Sequence, residues 1–569
     1  MAHDLIIRNG NIVDGTGAPS YVGDVAVNGD RITAVGDVDG KAKRTVEADG
    51  HLVTPGFIDI HTHLDAQVFW DPIASSSCWH GVTSAVMGNC GVTFAPCKPG
   101  DRDYLARLME SVEDVPAKSI NSGLSWNWET YGEYLRALDG IPKGINVGGL
   151  VGHCALRLYA MGEDALQNKP PTSDEIATMR EAVSEALAEG ALGFSTSRSP
   201  MHRTPDGDVV PGTHASPDEL QGICAALAEH GKGVVEGVPG FLGKDDEATR
   251  RDILQNIDRE LSWITDVCLA TGRPATFGLT QTRAAPQAYG RALRRLAESN
   301  DKGARIRMQS TTHPIAVLYG FQNRTPFDSV VPAFRALRDL PMDRKLAKLR
   351  DPAHRAAMVE QALSATLPMD FDELYLMSRT DPRYDLDPTQ TLSAYAARLG
   401  TSAPDAFIEL SLAEDGMALF NYPFINPEME AVERMLNDPN VVLGLGDSGA
   451  HCGVVMDAGL PTHFLTYWVR ERGKFSIEEG IHKLTGEPAS LYDLKGRGSL
   501  TACSFADINV IDFEALKLRG VEYVHDFPAG AGRFIQKAQG YRHMFVNGQH
   551  FMQDGEHAGA FAGTVLRSR

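Results

Sequence analysis

Gly56-Phe-Ile-Asp-Ile-His-Thr-His-Leu-Asp65 decides how the rest of the chain is read. Pro55 and Gly56 break the backbone just before the strand. Phe57, Ile58 and Ile60 then form a short apolar run of the kind buried in a parallel sheet. The run ends on His61 and His63, and residues two apart on a strand point the same way. Two neutral imidazoles facing one side can hold a divalent metal. The alternative is a pair of core histidines satisfied by hydrogen bonds. The apolar strand behind the pair and the Pro-Gly break before it favour the metal.

Further apolar runs follow: Val82–Cys90, Ile145–His153, Ala191–Ser195, Gly233–Glu236, Ala275–Gln281, Ala304–Gln309 and Val441–Asp447. Helical patterns near 173–189, 216–230 and 287–299 separate several of them. With the histidine strand this makes eight strands in βα order, which predicts a (β/α)8 TIM-like barrel of the α/β class. Chemistry in such barrels sits at the C-terminal strand ends. His61, Cys90, His153, Glu236, Gln281 and Asp447 all fall there.

Residues 4–54 read as antiparallel strands, with hairpin signals at Asn9-Gly10 and at Asn28-Gly29-Asp30. Short strands recur in the last part of the chain, as in Ala506–Asp512 and Gly540–Gly548. A small β-sandwich built from both termini is therefore predicted, from 1–55 and 495–569, beside a barrel spanning 56–494. Two insertions, at about 98–143 and 315–435, interrupt the barrel. The second is largely helical in pattern. Each is expected to cover the barrel mouth as a lid or to make an oligomer contact.

The chain has 569 residues, 43% hydrophobic and 22% charged, which suits a globular protein with a large core. Its net charge of -20 repels nucleic acid and anionic membrane, so neither is expected as a partner. A small-molecule substrate and a homo-oligomer are expected instead. The N-terminus lacks a basic segment followed by a long apolar one, so no signal peptide is predicted. The 8 cysteines are scattered without CxxC spacing and read as reduced thiols of a cytoplasmic protein.

At this point the motifs match a family. The chain resembles the metal-dependent amidohydrolase superfamily and, within it, the D-aminoacylase (N-acyl-D-amino-acid deacylase) group. The resemblance runs over nearly the whole length. It rests on Val53-Thr-Pro-Gly-Phe-Ile-Asp-Ile-His-Thr-His63, Gly88-Asn-Cys-Gly91, Val151-Gly-His-Cys-Ala-Leu-Arg157, Gly190-Ala-Leu-Gly-Phe-Ser195, Gly446-Asp-Ser-Gly449 and Gly496-Arg-Gly-Ser-Leu500. It implies the barrel with a split β-sandwich, and metal ligation by His61, His63, Cys90 and Asp447. The family also places a histidine on strand 5 and another on strand 6. This chain has Val235-Glu-Gly-Val238 and Leu279-Thr-Gln-Thr282 there. It resembles a branch of the group that lacks both.

The resulting expectation is hydrolysis of a C–N amide bond, in an N-acyl amino acid or a related small amide, by metal-activated water. Zn2+ is the expected cofactor, one ion rather than two. Asp447 is expected as metal ligand and as the base that later returns its proton to the leaving nitrogen. His451, four residues on, would polarise the scissile carbonyl or orient Asp447. Arg198 is the favoured grip for a substrate carboxylate, with Gln281 and His153 as further substrate-binding candidates. Glu236 could be a ligand in place of a missing histidine. Trp126 and Trp128 read as lid packing. Two alternatives remain: a hydrolase of a cyclic amide, lactone, ester or carbamate, and a non-hydrolytic or binding relative with an altered metal site.

Overall fold

The computed structural model describes residues 3–241, 250–367 and 369–568. The eight expected barrel strands are all present. They are Phe57–Asp59, Val82–Met87, Asn146–Gly152, Gly193–Ser197, Val234–Val238, Ala275–Gly278, Ile306–Ser310 and Val441–Leu443. They pair in chain order, every neighbour parallel. Just beyond the strand ends, Thr62 bridges Ser448 in parallel register, which brings the first and last strands together. This is the (β/α)8 barrel. Its second, third, fourth and sixth strands are buried at every position. Strands covered on both faces have to be apolar throughout, and so they were legible as continuous runs.

The outer helices begin where local chemistry starts them. Thr172 and Glu175 form a reciprocal cap on Ser173–Glu189, and Ser216 caps Pro217–His230. Gly190 and Gly231 close those two helices in the left-handed region.

Both termini enter one mixed nine-stranded sheet. Its seam pairs Leu52–Pro55 with Ile508–Ile511, antiparallel. One apolar cluster joins Leu5, Ile7, Val25 and Ile32 to Ile508, Val510 and Phe545. The terminal β unit is thus a continuous sheet curled on a shared core. The turn at Asn28-Gly29 makes the expected hairpin. Asn9-Gly10 does not. It is an irregularity inside one long strand, His3–Ile12, with Asn9 left-handed at φ 55°. The strand passes close over Val53 there: a Cβ on Gly10 would lie 2.3 Å from Val53 Cγ2.

The first insertion folds as helices, among them α1 (Arg102–Glu113). The second is not simply helical. Ile315–Tyr319, Tyr375–Met377 and Leu419–Ile425 form a three-stranded antiparallel sheet over a separate phenylalanine-rich core. Among the described residues no helix is long and apolar enough to cross a membrane.

Candidate active site

His61 and His63 sit in the turn just past the first barrel strand. Asp59 accepts the His61 backbone N–H at 3.1 Å, and His63 N–H donates to the Ser448 carbonyl at 2.8 Å. The pair is therefore pinned to the end of the last strand. Gly449 makes that approach possible. It is left-handed at φ 92°, and a Cβ on it would lie 2.7 Å from the His63 carbonyl.

The side chains converge. Asp447 Oδ1 lies 3.2 Å from His61 Nε2 and 3.7 Å from His63 Nε2. Cys90 Sγ lies 3.3 Å from His61 Nε2. His61, His63 and Cys90 are buried, each with a ligand atom within 4.8 Å of the others. Two atoms each bound ~2.1 Å from one tetrahedral cation lie ~3.4 Å apart, so these separations are those of a ligand set. Gln309 Oε1 sits 2.8 Å from His61 Nδ1 and orients the ring so that Nε2 faces inward.

Several polar atoms here are buried without a hydrogen-bond partner: both ring nitrogens of His63, Asp447 Oδ1, Glu113 Oε1 and Glu236 Oε1. Buried polar atoms are normally paired, and unpaired ones are costly. A bound cation would satisfy such a group, so the residues present fit a divalent metal. Burial lowers the pKa of His61 and pushes that of His63 well down, which keeps both imidazoles neutral, as ligands must be. Burial raises the carboxyls of Glu113 and Glu236 well above their usual range, reinforced by the Asp447 charge. Cys90, Asp447 and His451 all hold positive φ, at 57°, 44° and 50°. Backbone strain of this kind gathers at functional sites.

A cavity of about 340 Å3 opens onto this cluster. Its floor includes His61, Cys90, Glu113, His202, Asp447 and His451. Its walls are mostly apolar, with Phe241, Ile257, Tyr289, Val317, Phe424 and Val455 among them. Both insertions contribute: α1 brings Val112 and Glu113, and the second brings Ile315, Val317, Phe424 and Ile425.

The sequence pattern of the Amidohydrolase family matches residues 44–526. The chain belongs to the amidohydrolase family. It is a metal-dependent hydrolase of a carbon–nitrogen bond other than a peptide bond. A D-aminoacylase of Alcaligenes xylosoxydans xylosoxydans is 26% identical over 99% of this chain and 97% of its own length. An N-acyl-D-glutamate deacylase of the same organism is 27% identical over 96% and 93%. Solved structures share the fold. A D-aminoacylase with a binuclear metal centre aligns over 99% of this chain and all of its own, with a TM-score of 0.66 and 24% identity. An N-acyl-D-glutamate deacylase from Bordetella bronchiseptica, complexed with zinc and a phosphonate mimic of the tetrahedral intermediate, aligns over all of both chains, with a TM-score of 0.64 and 23% identity.

In this amidohydrolase His61, His63, Cys90 and Asp447 come together as the sequence predicted. His451 also lines the cavity, from a bend in the loop after the last barrel strand. The three candidate substrate-binding residues lie elsewhere. His153 opens the helix His153–Met161 and is buried, 2.9 Å from Thr196 Oγ1 and 3.0 Å from Glu219 Oε1. Arg198 is spent on Glu260 at 2.7 Å and on the Ala215 carbonyl at 2.6 Å. Gln281 is buried against Asn426, whose side chain accepts its backbone N–H. None of the three is among the residues lining the cavity. A strand-end position fixes which rim a residue joins, not whether its side chain turns inward. Trp126 and Trp128 pack among Phe94, Phe69 and Tyr134, as expected.

Four residues were missed. Gln309 closes the predicted run Ala304–Gln309 and is the last but one residue of the seventh strand, so the strand-end rule could have found it. Glu113, His202 and Arg324 lie in inserted or connecting segments with no spacing to mark them.

Proposed function

We propose that this amidohydrolase removes the acyl group from an N-acyl amino acid whose acyl part is apolar, using one zinc ion. The convergence of His61, His63, Cys90 and Asp447 on one point, with unpartnered buried atoms among them, carries the proposal. His61, His63 and Asp447 would hold the ion, with Cys90 beside it. Bound there, the cation would supply Lewis acidity, which makes water a nucleophile near neutral pH.

The protein's own groups do the rest. The Asp447 carboxylate, with Oδ1 toward the two imidazoles, stands beside that water and accepts a proton from it. It then returns that proton to the leaving nitrogen. His451, part-exposed on the cavity wall, polarises the scissile carbonyl. The apolar walls take the acyl chain and exclude water from the reacting bond. Arg324 also lines the cavity. It is the single Lys or Arg among the described lining residues and has no ion pair among them. It takes the carboxylate of the amino acid, the role that Arg198 cannot fill.

The test has two parts. Metal per chain is measured in the wild type and in the His61→Ala/His63→Ala double variant. The proposal expects about one zinc in the first and a near-complete loss in the second; unchanged content would reject the site. N-acyl-D- and N-acyl-L-amino acids are then screened against cyclic amides and lactones. Turnover confined to the cyclic compounds would refute the substrate class while leaving the metal site standing.

A further inference from the structure

The strand ends where the resemblance expects two histidines carry no imidazole, which leaves room at the metal for a ligand from another element. We infer that Glu113, supplied by inserted helix α1 and not by a barrel strand, is a ligand of the metal ion. The inference rests on the metal site proposed above.

Distances separate Glu113 from its rivals. Glu113 Oε2 lies 3.6 Å from His63 Nε2. Asp447 Oδ1 lies 3.7 Å from the same nitrogen. Both are close to the ~3.4 Å expected between ligands of one tetrahedral cation. Glu236, at the strand-5 position, is placed differently. Its Oε2 accepts the Cys90 backbone N–H at 3.0 Å. Its Oε1 lies 3.7 Å from His61 Nδ1, the nitrogen turned toward Gln309 and away from Cys90 and Asp447. Gln281, whose backbone N–H donates to the Asn426 side chain, is not among the residues that line the cavity over the cluster.

Glu113 is also placed too firmly, and too expensively, for a bystander. It is 1% exposed, and its Oε1 has no partner. The ion-pair partners within 4 Å among the described residues are His63 and His451, both at 3.6 Å. No Lys or Arg is among them. A carboxyl buried beside Asp447 and Glu236 needs either a proton or a cation among them to be tolerated. The end of α1 is bolted to the Asp447 loop as well. The Glu113 carbonyl accepts the His451 backbone N–H. Asp114, left-handed at φ 54°, accepts the Gly453 N–H at 3.0 Å. Upstream, Leu105, Leu108, Met109 and Val112 bury one face of α1. The fold spends this anchoring on the one residue of α1 that reaches the cluster.

The experiment compares wild type, Glu113→Ala, Glu113→Gln and Glu236→Gln, each stripped and reloaded. Zn2+ affinity is measured by chelator competition, and the visible spectrum is recorded with Co2+, which reports the ligand set. Loss of an outer partner of a metal site typically costs ~10–100-fold in affinity, and loss of a direct ligand should cost at least that. The expected result is a fall of ~100-fold or more in Glu113→Ala, a changed Co2+ spectrum in both Glu113 variants, and a wild-type spectrum in Glu236→Gln. Weaker binding with a wild-type Co2+ spectrum in both Glu113 variants would make Glu113 an outer partner and overturn the inference. So would wild-type affinity in both. If Glu113→Ala does not fold, Glu113→Gln, which keeps the shape, decides the matter by its spectrum. A wild type that binds no metal would refute the metal site itself. Metal loss in His61→Ala/His63→Ala but not in the Glu113 variants would refute the role of Glu113 alone.

Discussion

Two clusters in this barrel pair buried histidine with buried carboxylate, and they differ in one respect. Around His153 nearly everything is satisfied. Its Nδ1 meets Thr196, its Nε2 meets Glu219, and Glu219 also takes Arg157, which reaches the Lys169 carbonyl at 2.5 Å. Around His63 little is satisfied. His63 has no hydrogen bond to either ring nitrogen, and Asp447, Glu113 and Glu236 each leave an oxygen unpaired. Both clusters lie at barrel-strand ends, and both are deeply buried. A closed network spends its polar groups on the fold. An open one keeps them for something that is not protein.

The sharpest break of that comparison is Asp447→Asn. It keeps the shape and an oxygen but cannot take a proton. If Asp447 shuttles the proton, kcat should fall by at least ~10²–10⁴-fold, with metal content roughly kept. The measurement is steady-state kinetics beside metal analysis. A variant that turns over normally would move Asp447 into the company of His153.

Glu219→Ala probes the other cluster. It leaves Arg157 buried without its carboxylate partner and His153 without an acceptor. Breaking a buried pair from one side typically costs about 3–5 kcal/mol. Thermal unfolding should therefore shift down strongly, while metal per chain and KM of the folded fraction stay as in wild type. Loss of metal in this variant would show that the two clusters are not separate.

The contrast also explains what was legible in the sequence. The barrel was, because strands such as Val82–Met87 and Gly193–Ser197 are buried on both faces and must be apolar at every position. His61, Cys90 and Asp447 stood at strand ends, His63 came with His61 as a His-x-His pair, and their grouping as a ligand set came from the family resemblance. The strand-end rule misplaced His153, since nothing local tells whether a histidine after a strand faces the mouth or starts a helix against Glu219. Glu113 was invisible for the opposite reason. It belongs to an insertion, and its approach depends on how α1 docks on the Asp447 loop, a contact 338 residues apart in sequence at His451. Asn9-Gly10 failed as a hairpin because a bulge over Val53 uses the same residues as a turn.

The smallest expected effects come from two arginines that repeat the comparison in miniature. Arg324 lines the cavity over the Tyr319 ring, 6.0 Å from its guanidinium carbon, and its charge is felt by the Asp114 carboxyl. Arg198 has Glu260, the Ala215 carbonyl and the Trp263 ring, the last 5.5 Å from its guanidinium carbon. A hydrogen bond to a charged group is typically worth ~1.5–3 kcal/mol. Arg324→Gln should accordingly raise KM by roughly tenfold or more, with kcat and thermal stability nearly kept, because the residue is exposed. Arg198→Gln should do the reverse. Glu260 keeps the Trp263 Nε1 donor at 2.9 Å, so the cost is a modest fall in melting temperature, and KM should not move. Kinetics on an N-acyl amino acid, set beside the same compound with its carboxylate amidated, check both. Amidation should raise the KM of the wild type and of Arg198→Gln, and leave that of Arg324→Gln where it was. If amidation weakens binding to Arg324→Gln as much as to the wild type, the carboxylate is held elsewhere and Arg324 is only part of the rim.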